Sequence, residues 1–394
     1  MRTIKAIFKF FLVLVLVCAL ASSCVYDYEP KDARVQGLGK PLVVIDGDII
    51  VGGITKVKVS LTEPLAEDAA VLPLGANVWV ESQSGEIIPG LPVETDTNTF
   101  EINTTGLQTT GRYRLGVSIP DRGEYISQFG DVMISPPIDE ITWSISPDST
   151  YANIEVTTHN SEAEKLYCKW NYAENWESDA VHIPYLDFNP NTGILRDLTP
   201  DETAERAYCF SEAVSTDICI ASTEKLAEDI ISKSVIRRIA NTDMRARGLY
   251  AITVSQKALD KEAFLYWETL NKNIGSTGGI FSAQPSEHRG NITSLTSPEE
   301  VVIGYISVST QTQMRAFIDW ETMKFFKAEC IFHILKESSE DFYKDLKNYF
   351  HNGYRPVFRQ KELGELYLSA LKCTDCRTYS NSTRPDFWPA ESRY

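Results

Sequence analysis

A mostly β fold with a few helices, of the α+β class, is predicted by the amino-acid sequence. Between residues 41 and 136, short runs alternate apolar with polar residues, which is the pattern of a strand with one buried face. Beyond Pro136-Pro137 the chain remains rich in strand patterns and gains one strong helix pattern. We therefore expect a β-sandwich domain over residues 41–136 and a larger, mixed, β-rich domain over residues 137–394.

The 394-residue chain is strongly acidic, with a formal net charge of −16. Its charged residues are spread along the chain rather than collected in runs, which is typical of a solvated surface. An acidic protein repels the phosphate backbone of DNA and RNA, so nucleic-acid binding is excluded as a function class. The length and the apolar content are sufficient for two domains with buried cores, and a single large domain is the alternative.

The N-terminus has the pattern of an export signal. Basic residues precede an apolar run from Phe10 to Leu20, which is too short to span a membrane as a helix. The run ends in Leu20-Ala21-Ser22-Ser23-Cys24, which resembles the lipobox of bacterial lipoproteins, whose cysteine becomes the lipidated first residue of the mature chain. We therefore expect a signal peptide over residues 1–23 and a lipid on Cys24. A plain signal peptide with a chance cysteine is the alternative.

A tether and then a sandwich are predicted after the signal. Residues 24–40 are polar, contain Gly and Pro, and show neither a helix nor a strand period, so we expect a tether between the lipid and the folded part. Short alternating strands separated by turn residues then indicate two sheets packed face to face, of the immunoglobulin-like or transthyretin-like kind. The clearest of these strands lie at residues 42–45, 57–61, 78–80 and 113–117.

The second domain gives mixed signals. Residues 175–209 are polar and contain several prolines, and we expect extended loops there. Residues 222–240 fit a helical turn and a strand equally well. Residues 301–308 and 314–320 are predicted to pair with each other as strands. Further strands are predicted at residues 141–146, 154–158, 166–172 and 249–254.

The strongest helix pattern covers residues 261–273. Asp260 is a good N-cap, and the residues around it are spaced as a hydrophobic staple. Apolar side chains then recur at helical spacing on one face, which we interpret as part of a core rather than as a platform for a ligand. Shorter helices are predicted over residues 339–350 and 361–371.

The sequence contains eight cysteines, of which Cys18 leaves with the signal peptide and Cys24 is expected to carry lipid. For an exported chain, an even number of remaining cysteines favours disulfides, whose connectivity the sequence leaves open. Cys373-x-x-Cys376 also suggests a metal or redox half-site, but neither a second ligand pair nor a strand-to-helix context accompanies it. The disulfide candidates are Cys168, Cys209, Cys219, Cys330, Cys373 and Cys376.

The aromatic C-terminal segment, Tyr379 to Trp388, lies where chains are often loosely held. Exposing aromatic side chains to water is unfavourable. We therefore expect this segment to pack back on its domain rather than to present Trp388 to a partner.

No sequence motif of a known reaction occurs. The five histidines are scattered and form no His-Glu-x-x-His zinc motif. The chain also lacks a Gly-x-Ser-x-Gly nucleophile elbow, a phosphate-binding Gly-rich loop and a Rossmann fingerprint. We therefore predict no catalytic residue, no metal site and no cofactor, and we do not expect an enzyme.

Several separated segments together form a recognisable pattern. They are Leu42-Val43-Val44-Ile45-Asp46-Gly47, Tyr250-Ala251-Ile252-Thr253-Val254-Ser255-Gln256, Phe264-Leu265-Tyr266-Trp267, Gly290-Asn291-Ile292-Thr293-Ser294, Ile303-Gly304-Tyr305, Cys373-Thr374-Asp375-Cys376-Arg377 and Arg384-Pro385-Asp386-Phe387-Trp388-Pro389. With the lipobox, they resemble a family of Bacteroidetes outer-membrane lipoproteins catalogued as a domain of unknown function and often encoded beside TonB-dependent transporters. One departure is Phe210, which follows Cys209 where this pattern leads us to expect Trp.

This resemblance implies an outer-membrane protein anchored by the lipid on Cys24, with a TonB-dependent transporter as its expected partner. The family brings no known catalytic residue. We therefore expect a lipid-anchored binding protein that is an accessory subunit of such a transporter, on either the cell surface or the periplasmic face of the membrane. A cell-surface hydrolase of glycans or peptides, and an envelope structural or assembly factor without a small ligand, are the alternatives.

Overall fold

The computed structural model of the protein describes residues 41–62, 73–161, 165–276, 289–327 and 329–390. The predicted signal peptide, the lipidation site Cys24 and the tether over residues 24–40 lie outside the described residues. Within the described ranges, no helix is long and apolar enough to cross a membrane.

The chain groups into two compact units. Of the smaller unit, Met1–Leu42 with Leu61–Asp68, the structure describes residues 41–42 and 61–62, where the Thr62 amide donates to the Leu42 carbonyl at 2.9 Å. The larger unit, Val43–Ser60 with Ala69–Tyr394, contains the features discussed below.

The prediction of a mostly β fold with a few helices is confirmed. The strands up to Asp131 are β1 (Val43–Gly47), β2 (Ile49–Ile50), β3 (Ile54–Leu61), β4 (Asn77–Ser82), β5 (Ile87–Pro89), β6 (Leu91–Val93), β7 (Asp96–Asn103), β8 (Arg112–Ile119), β9 (Gly123–Ser127) and β10 (Gly130–Asp131). Those up to Ala258 are β11 (Ile138–Ile145), β12 (Tyr151–His159), β13 (Tyr167–Glu177), β14 (Leu186–Asn189), β15 (Ile194–Asp197), β16 (Phe210–Val214), β17 (Cys219–Ser222), β18 (Ile230–Ala240) and β19 (Leu249–Ala258). The remaining strands are β20 (Ile292–Ser294), β21 (Val302–Ile303), β22 (Val308–Ser309), β23 (Gln311–Asp319), β24 (His333–Lys336), β25 (Tyr354–Gln360) and β26 (Glu365–Ala370).

The helices of the described residues are short, apart from one. They are α1 (Pro200–Ala207), α2 (Lys261–Ser276), α3 (Trp320–Met323), α4 (Phe342–His351) and α5 (Leu371–Thr374), with short 3-10 turns at Met244–Ala246, Lys361–Leu363 and Cys376–Thr378. The predicted helix start is confirmed, because the Asp260 carboxylate accepts a hydrogen bond from the Ala263 amide at 2.7 Å. Leu259 and Phe264 are buried in one cluster with the aromatic face of α2, so that face belongs to a core, as expected.

Two sheets form the N-terminal sandwich, in the orders β21-β1-β3-β7-β6 and β20-β9-β8-β4-β5, with β10 beside β8. Alternation holds in β3, where Val57 and Val59 are buried and Lys56 and Lys58 are exposed. The other described strands form the sheets β11-β12-β18, β16-β13-β19-β23 with β17 beside β13, and β24-β26-β25, together with the pairs β14-β15 and β2-β22.

The sandwich is completed by residues that the sequence analysis placed in the second domain. β20 pairs with β9, and β21 and β22 pair in parallel with β1 and β2. The expectation that residues 301–308 pair with residues 314–320 is therefore wrong, since β23 pairs with β19 instead. Two features fix residues 290–309, which we call the returning segment, against the sandwich. Gly304 approaches β1 so closely that a Cβ on it would lie 2.0 Å from the Ile45 carbonyl oxygen. Asn291 exchanges two hydrogen bonds of 2.8 Å with the Ile306 backbone.

Two local expectations need correction, and one open alternative is resolved. The loops expected over residues 175–209 contain β14, β15 and α1, and the capping box formed by Thr199 and Glu202 was a signal for this helix. The ambiguous stretch 222–240 contains the strand β18. The helix expected over residues 361–371 is a 3-10 turn at Lys361–Leu363 followed by β26, which is held as a strand by its pairing with β24 and β25.

Four of the six cysteine candidates form disulfides. Cys209 is joined to Cys376 and Cys330 to Cys373, so the two cysteines of Cys373-x-x-Cys376 have different partners. The expectation of a disulfide at Cys168 and Cys219 is wrong, because both are free thiols.

The register of β13 and β17 explains these free thiols. Cys168 lies opposite Ala221 and Trp170 opposite Cys219, so the two cysteines are diagonal neighbours. Such neighbours are about 7–8 Å apart, which exceeds the reach of a disulfide. Burial raises the pKa of the Cys168 thiol, and mainly for the same reason the pKa of Cys219 is raised to about 11, so both stay protonated.

The C-terminal segment packs back on the fold, as expected. Trp388 is buried and makes edge-on contacts with Phe210 and Phe317, at ring-centroid distances of 5.3 and 5.6 Å. Its indole N–H donates to the buried carboxylate of Glu177 at 3.2 Å. Asn381 exchanges two hydrogen bonds with the Glu212 backbone, which aligns the tail along β16.

Candidate functional site

A polar cleft of about 730 Å³ lies where the sandwich strands β1 to β3 meet the outer face of the sheet β16-β13-β19-β23. We call it the lysine cleft, because lysines from four positions line it. Its charged and amide side chains include Asp48, Lys169, Asn171, Lys257, Gln311 and Gln313. A cavity of this size suits a small molecule.

Two lysines face each other at the floor of the cleft. Lys169 on β13 and Lys257 on β19 are direct register partners in antiparallel strands, so their side chains leave the sheet on the same face. Like charges in directly opposite positions destabilise a sheet. Both side chains are also largely shielded from water, with exposed fractions of 9% and 12%.

Asp48 supplies the opposite charge. It lies between β1 and β2, and one carboxylate oxygen, Oδ2, is 2.5 Å from the Lys257 ammonium and 3.5 Å from the Lys169 ammonium. The preceding Gly47 lets β1 lie close to β3, because a Cβ there would lie 2.7 Å from the backbone carbonyl oxygen of Lys56. The second oxygen, Oδ1, is buried and has no hydrogen-bond partner among the described residues.

The charges perturb one another in the directions that burial and attraction predict. Burial by itself would raise the pKa of Asp48, but the two ammonium groups outweigh it and hold this pKa well below its usual value. The pKa of Lys169 is lowered, first by burial and then by Lys257, although Asp48 acts in the opposite direction. Lys169 is therefore the less well compensated of the two lysines.

An aromatic ring supports Lys169 from the side of α2. The ammonium lies 3.4 Å from the ring centroid of Trp267, a cation–π contact. The helix is held against the sandwich by its neighbouring residue, since the Tyr266 hydroxyl accepts a hydrogen bond from the Gly304 amide at 3.1 Å. The segment Phe264-Leu265-Tyr266-Trp267 therefore positions a charge as well as filling a core.

Amide side chains continue the floor along the sheet. Asn171, Ser255 and Gln313 form one cross-strand row, in which the Gln313 amide donates to the Ser255 hydroxyl at 2.9 Å. The side chains of Asn171 and Gln311 make no hydrogen bond to another described residue. These groups can therefore donate to and accept from a ligand.

The described cysteines among the predicted site residues do not line the cleft. Cys24 is outside the described residues, and the four disulfide cysteines belong to the C-terminal part of the fold and do not line the cleft. Sequence reasoning missed Asp48, Lys169 and Lys257. A signal for two of them was present, because Asp48 directly follows Leu42 to Gly47 and Lys257 directly follows Tyr250 to Gln256.

The chemistry that the cleft offers is charge and hydrogen bonding. Its described lining contains no histidine, cysteine or serine, and nowhere in the described ranges do three or more His, Cys, Asp or Glu side chains group to hold a metal ion. A second cavity, of about 580 Å³, is mainly apolar and lies beside the Cys330–Cys373 disulfide, with Phe326, Leu371 and Tyr379 in its wall.

Comparison with known proteins gives one assignment. The search of curated proteins found no match. The profile of the family described as "Domain of unknown function (DUF4249)" matches residues 26–315, which include the whole lining of the lysine cleft and end before the Cys373-x-x-Cys376 segment. Since this match covers more than half of the chain, the protein belongs to the DUF4249 family.

Proposed function

We propose that this protein is a binding protein anchored by a lipid on Cys24 to the bacterial outer membrane, and that it is an accessory subunit of a TonB-dependent transporter. The observation that carries the binding role is the lysine cleft, where Lys169 and Lys257 share the carboxylate of Asp48 at the floor of a polar cavity. Buried charges that are incompletely compensated often mark functional sites.

Binding fits the cleft better than catalysis does. The described lining offers lysine ammonium groups, carboxylates and amides, but no Ser or Cys beside a His that could activate it as a nucleophile. A ligand that enters such a cleft is oriented and held. This observation supports a binding protein over the hydrolase alternative.

The membrane and transporter parts of the proposal are supported by the N-terminal sequence. Leu20-Ala21-Ser22-Ser23-Cys24 resembles a lipobox, and the family pattern named above is associated with TonB-dependent transporters. A lipid anchor confines a protein to one membrane face and raises its effective concentration near a membrane partner. A stable complex with a barrel would bury on the order of 1,200 Å² or more.

Affinity purification from the native cells tests this proposal. The full-length protein carries a C-terminal tag, the outer membrane is solubilised in mild detergent, and the co-purifying proteins are identified by mass spectrometry. We expect an outer-membrane barrel to be enriched over an unrelated tagged lipoprotein. If no barrel is enriched and the purified protein cleaves a glycan or a peptide, the hydrolase alternative replaces the proposal.

The matched control is Cys24→Ser, which leaves the described residues unchanged. We expect this variant to lose palmitate labelling, to leave the membrane fraction and to recover less of the barrel. A variant that still labels with palmitate and still sediments with the membrane would contradict the anchor.

A further inference from the structure

The floor of the lysine cleft holds one more positive charge than its buried carboxylate can neutralise. Lys169 and Lys257 both lie within ion-pair distance of Asp48, whose own exposed fraction is 2%. A buried charge without a counter-charge is costly. The arrangement therefore favours the arrival of a second negative group.

The other charges around the cleft do not supply that group. Lys56 and Lys58 are paired with Glu101 and Asp96, at 2.8 and 3.1 Å, on the exposed side of the sandwich. Asp46 also lines the cleft and attracts Lys169, but it is exposed, and solvent screens its charge. No described cation forms an ion pair with Asp46. The excess charge at the floor thus remains.

The remaining lining specifies the rest of the ligand. Asn171 and Gln311 offer amides without described partners, and Gln313 and Thr99 add further polar groups. Such groups hydrogen-bond to hydroxyls. The cleft contains no aromatic side chain among its described lining residues, so an apolar ring finds no stacking partner there.

We propose that the lysine cleft binds a small hydroxylated organic acid through a single carboxylate, which the ammonium groups of Lys169 and Lys257 receive, while the amides at residues 171, 311 and 313 bind its hydroxyls. This inference rests on the proposed binding function and names its ligand class. A carboxylate matches the excess of one charge, whereas a phosphate monoester brings about −1.5 to −2. The cavity of about 730 Å³ accommodates a ligand of this size.

Titration calorimetry on the purified mature protein at constant ionic strength tests the inference. Glucuronate is the probe, glucose is its neutral counterpart, and glucose 6-phosphate carries the alternative anion. We expect glucuronate to bind at least about tenfold more tightly than glucose and more tightly than glucose 6-phosphate. Glucuronate binding no tighter than that of glucose, or tighter binding of glucose 6-phosphate, would overturn it.

Two variants show whether the binding site is the cleft. Lys169→Met removes the excess ammonium, and we expect it to weaken glucuronate binding at least about tenfold. Lys272→Met makes the same charge change at an exposed position of α2, where Lys272 pairs with Glu268, and should bind as the unmodified protein does. Equal affinity of the two variants for glucuronate would contradict the assignment.

The calorimetry tests the ligand class and the affinity purification tests the transporter partner, so a negative result in one leaves the other claim standing. A barrel that co-purifies with a protein indifferent to glucuronate leaves the transporter proposal in place and removes the ligand class. Glucuronate binding without a co-purifying barrel leaves the ligand class in place and removes the transporter proposal.

Discussion

The lysine cleft and the C-terminal part of the fold are held in different ways. The cleft is assembled without covalent links: Asp48, Lys169 and Lys257 meet because strand pairings bring them together across as many as 209 positions of sequence. The C-terminal part, which we call the C-terminal brace, consists of the Cys209–Cys376 and Cys330–Cys373 disulfides and the buried Trp388.

The two regions also differ in how completely their buried polar groups are paired. In the brace the buried carboxylate of Glu177 accepts hydrogen bonds from the Trp388 indole and the Leu249 amide, at 3.2 and 3.1 Å. In the cleft Asp48 keeps an unpartnered oxygen and Lys169 lacks a full counter-charge. Satisfied groups are typical of a structural region, whereas incompletely satisfied ones are typical of a site that a ligand completes.

Removing a disulfide of the brace should have the largest effect on stability. The double variant Cys209→Ala/Cys376→Ala opens a loop with a sequence separation of 167 residues, and we expect the free energy of unfolding to fall by about 4 kcal/mol. Denaturant unfolding without reductant measures this change. Cys330→Ala/Cys373→Ala, with a separation of 43, should cost less.

The same double variants sharpen the comparison if they are also titrated with glucuronate. We expect unchanged affinity, because neither disulfide touches the lysine cleft. Unfolding free energies within about 1 kcal/mol of the unmodified protein would show that the brace is not held by its cross-links.

Asp48→Asn should have the next largest effect. It leaves two buried ammonium groups facing each other without their shared carboxylate, and we expect a loss of about 3 kcal/mol in unfolding free energy at pH 7. Thermal and denaturant unfolding measure it. Asp96→Asn, which removes an exposed partner of Lys58, is the matched control and should change stability little.

The pH dependence of the stability lost in Asp48→Asn follows from the direction in which the pKa of Asp48 is shifted. The pKa of Asp48 is lower in the folded protein than its ordinary value of 3.8, so its contribution is complete above about pH 4 and is lost as the pH falls further. The stability difference between the unmodified protein and Asp48→Asn should therefore shrink from pH 4 towards pH 2. A constant difference over this interval would contradict a buried, ionised Asp48.

Trp388→Leu tests the non-covalent part of the brace. We expect the free energy of unfolding to fall by about 2 kcal/mol, because the change removes ring contacts and the indole hydrogen bond to Glu177. Calorimetric unfolding measures the loss. Phe387→Leu is the control, since Phe387 is 36% exposed. Equal losses in the two variants would show that Trp388 has no special role in closing the tail.

Lys169→Met should have the smallest effect and the opposite sign. It removes the poorly compensated ammonium and leaves the Asp48 and Lys257 pair intact, while the thioether still packs on Trp267. We expect the free energy of unfolding to rise by about 1 kcal/mol. Lys257→Met, which removes the closer partner of Asp48, should lower it. A fall in both variants would show that the lysines are structural only.

Local features of this protein could be read from its sequence. The alternation in β3, the cap at Asp260 and the aromatic face of α2 each depend on residues that are neighbours in the chain. The same logic would have found α1 from Thr199 and Glu202. The tail was also predicted to pack back, because its composition alone makes exposure unfavourable.

The tertiary structure decided which distant residues meet. Composition favours disulfides among the cysteines, but strand register separates Cys168 from Cys219. The packing of the C-terminal segment along β16 places Cys376 next to Cys209. Likewise, no neighbouring residue in the sequence marks Lys169 and Lys257 as partners. The register of β13 and β19 places them opposite each other. The parallel pairing of β1 and β2 with β21 and β22 then brings Asp48 to both lysines. A pairing between distant strands is chosen by the packing of the whole fold, because a shift of one residue would turn every side chain to the other face.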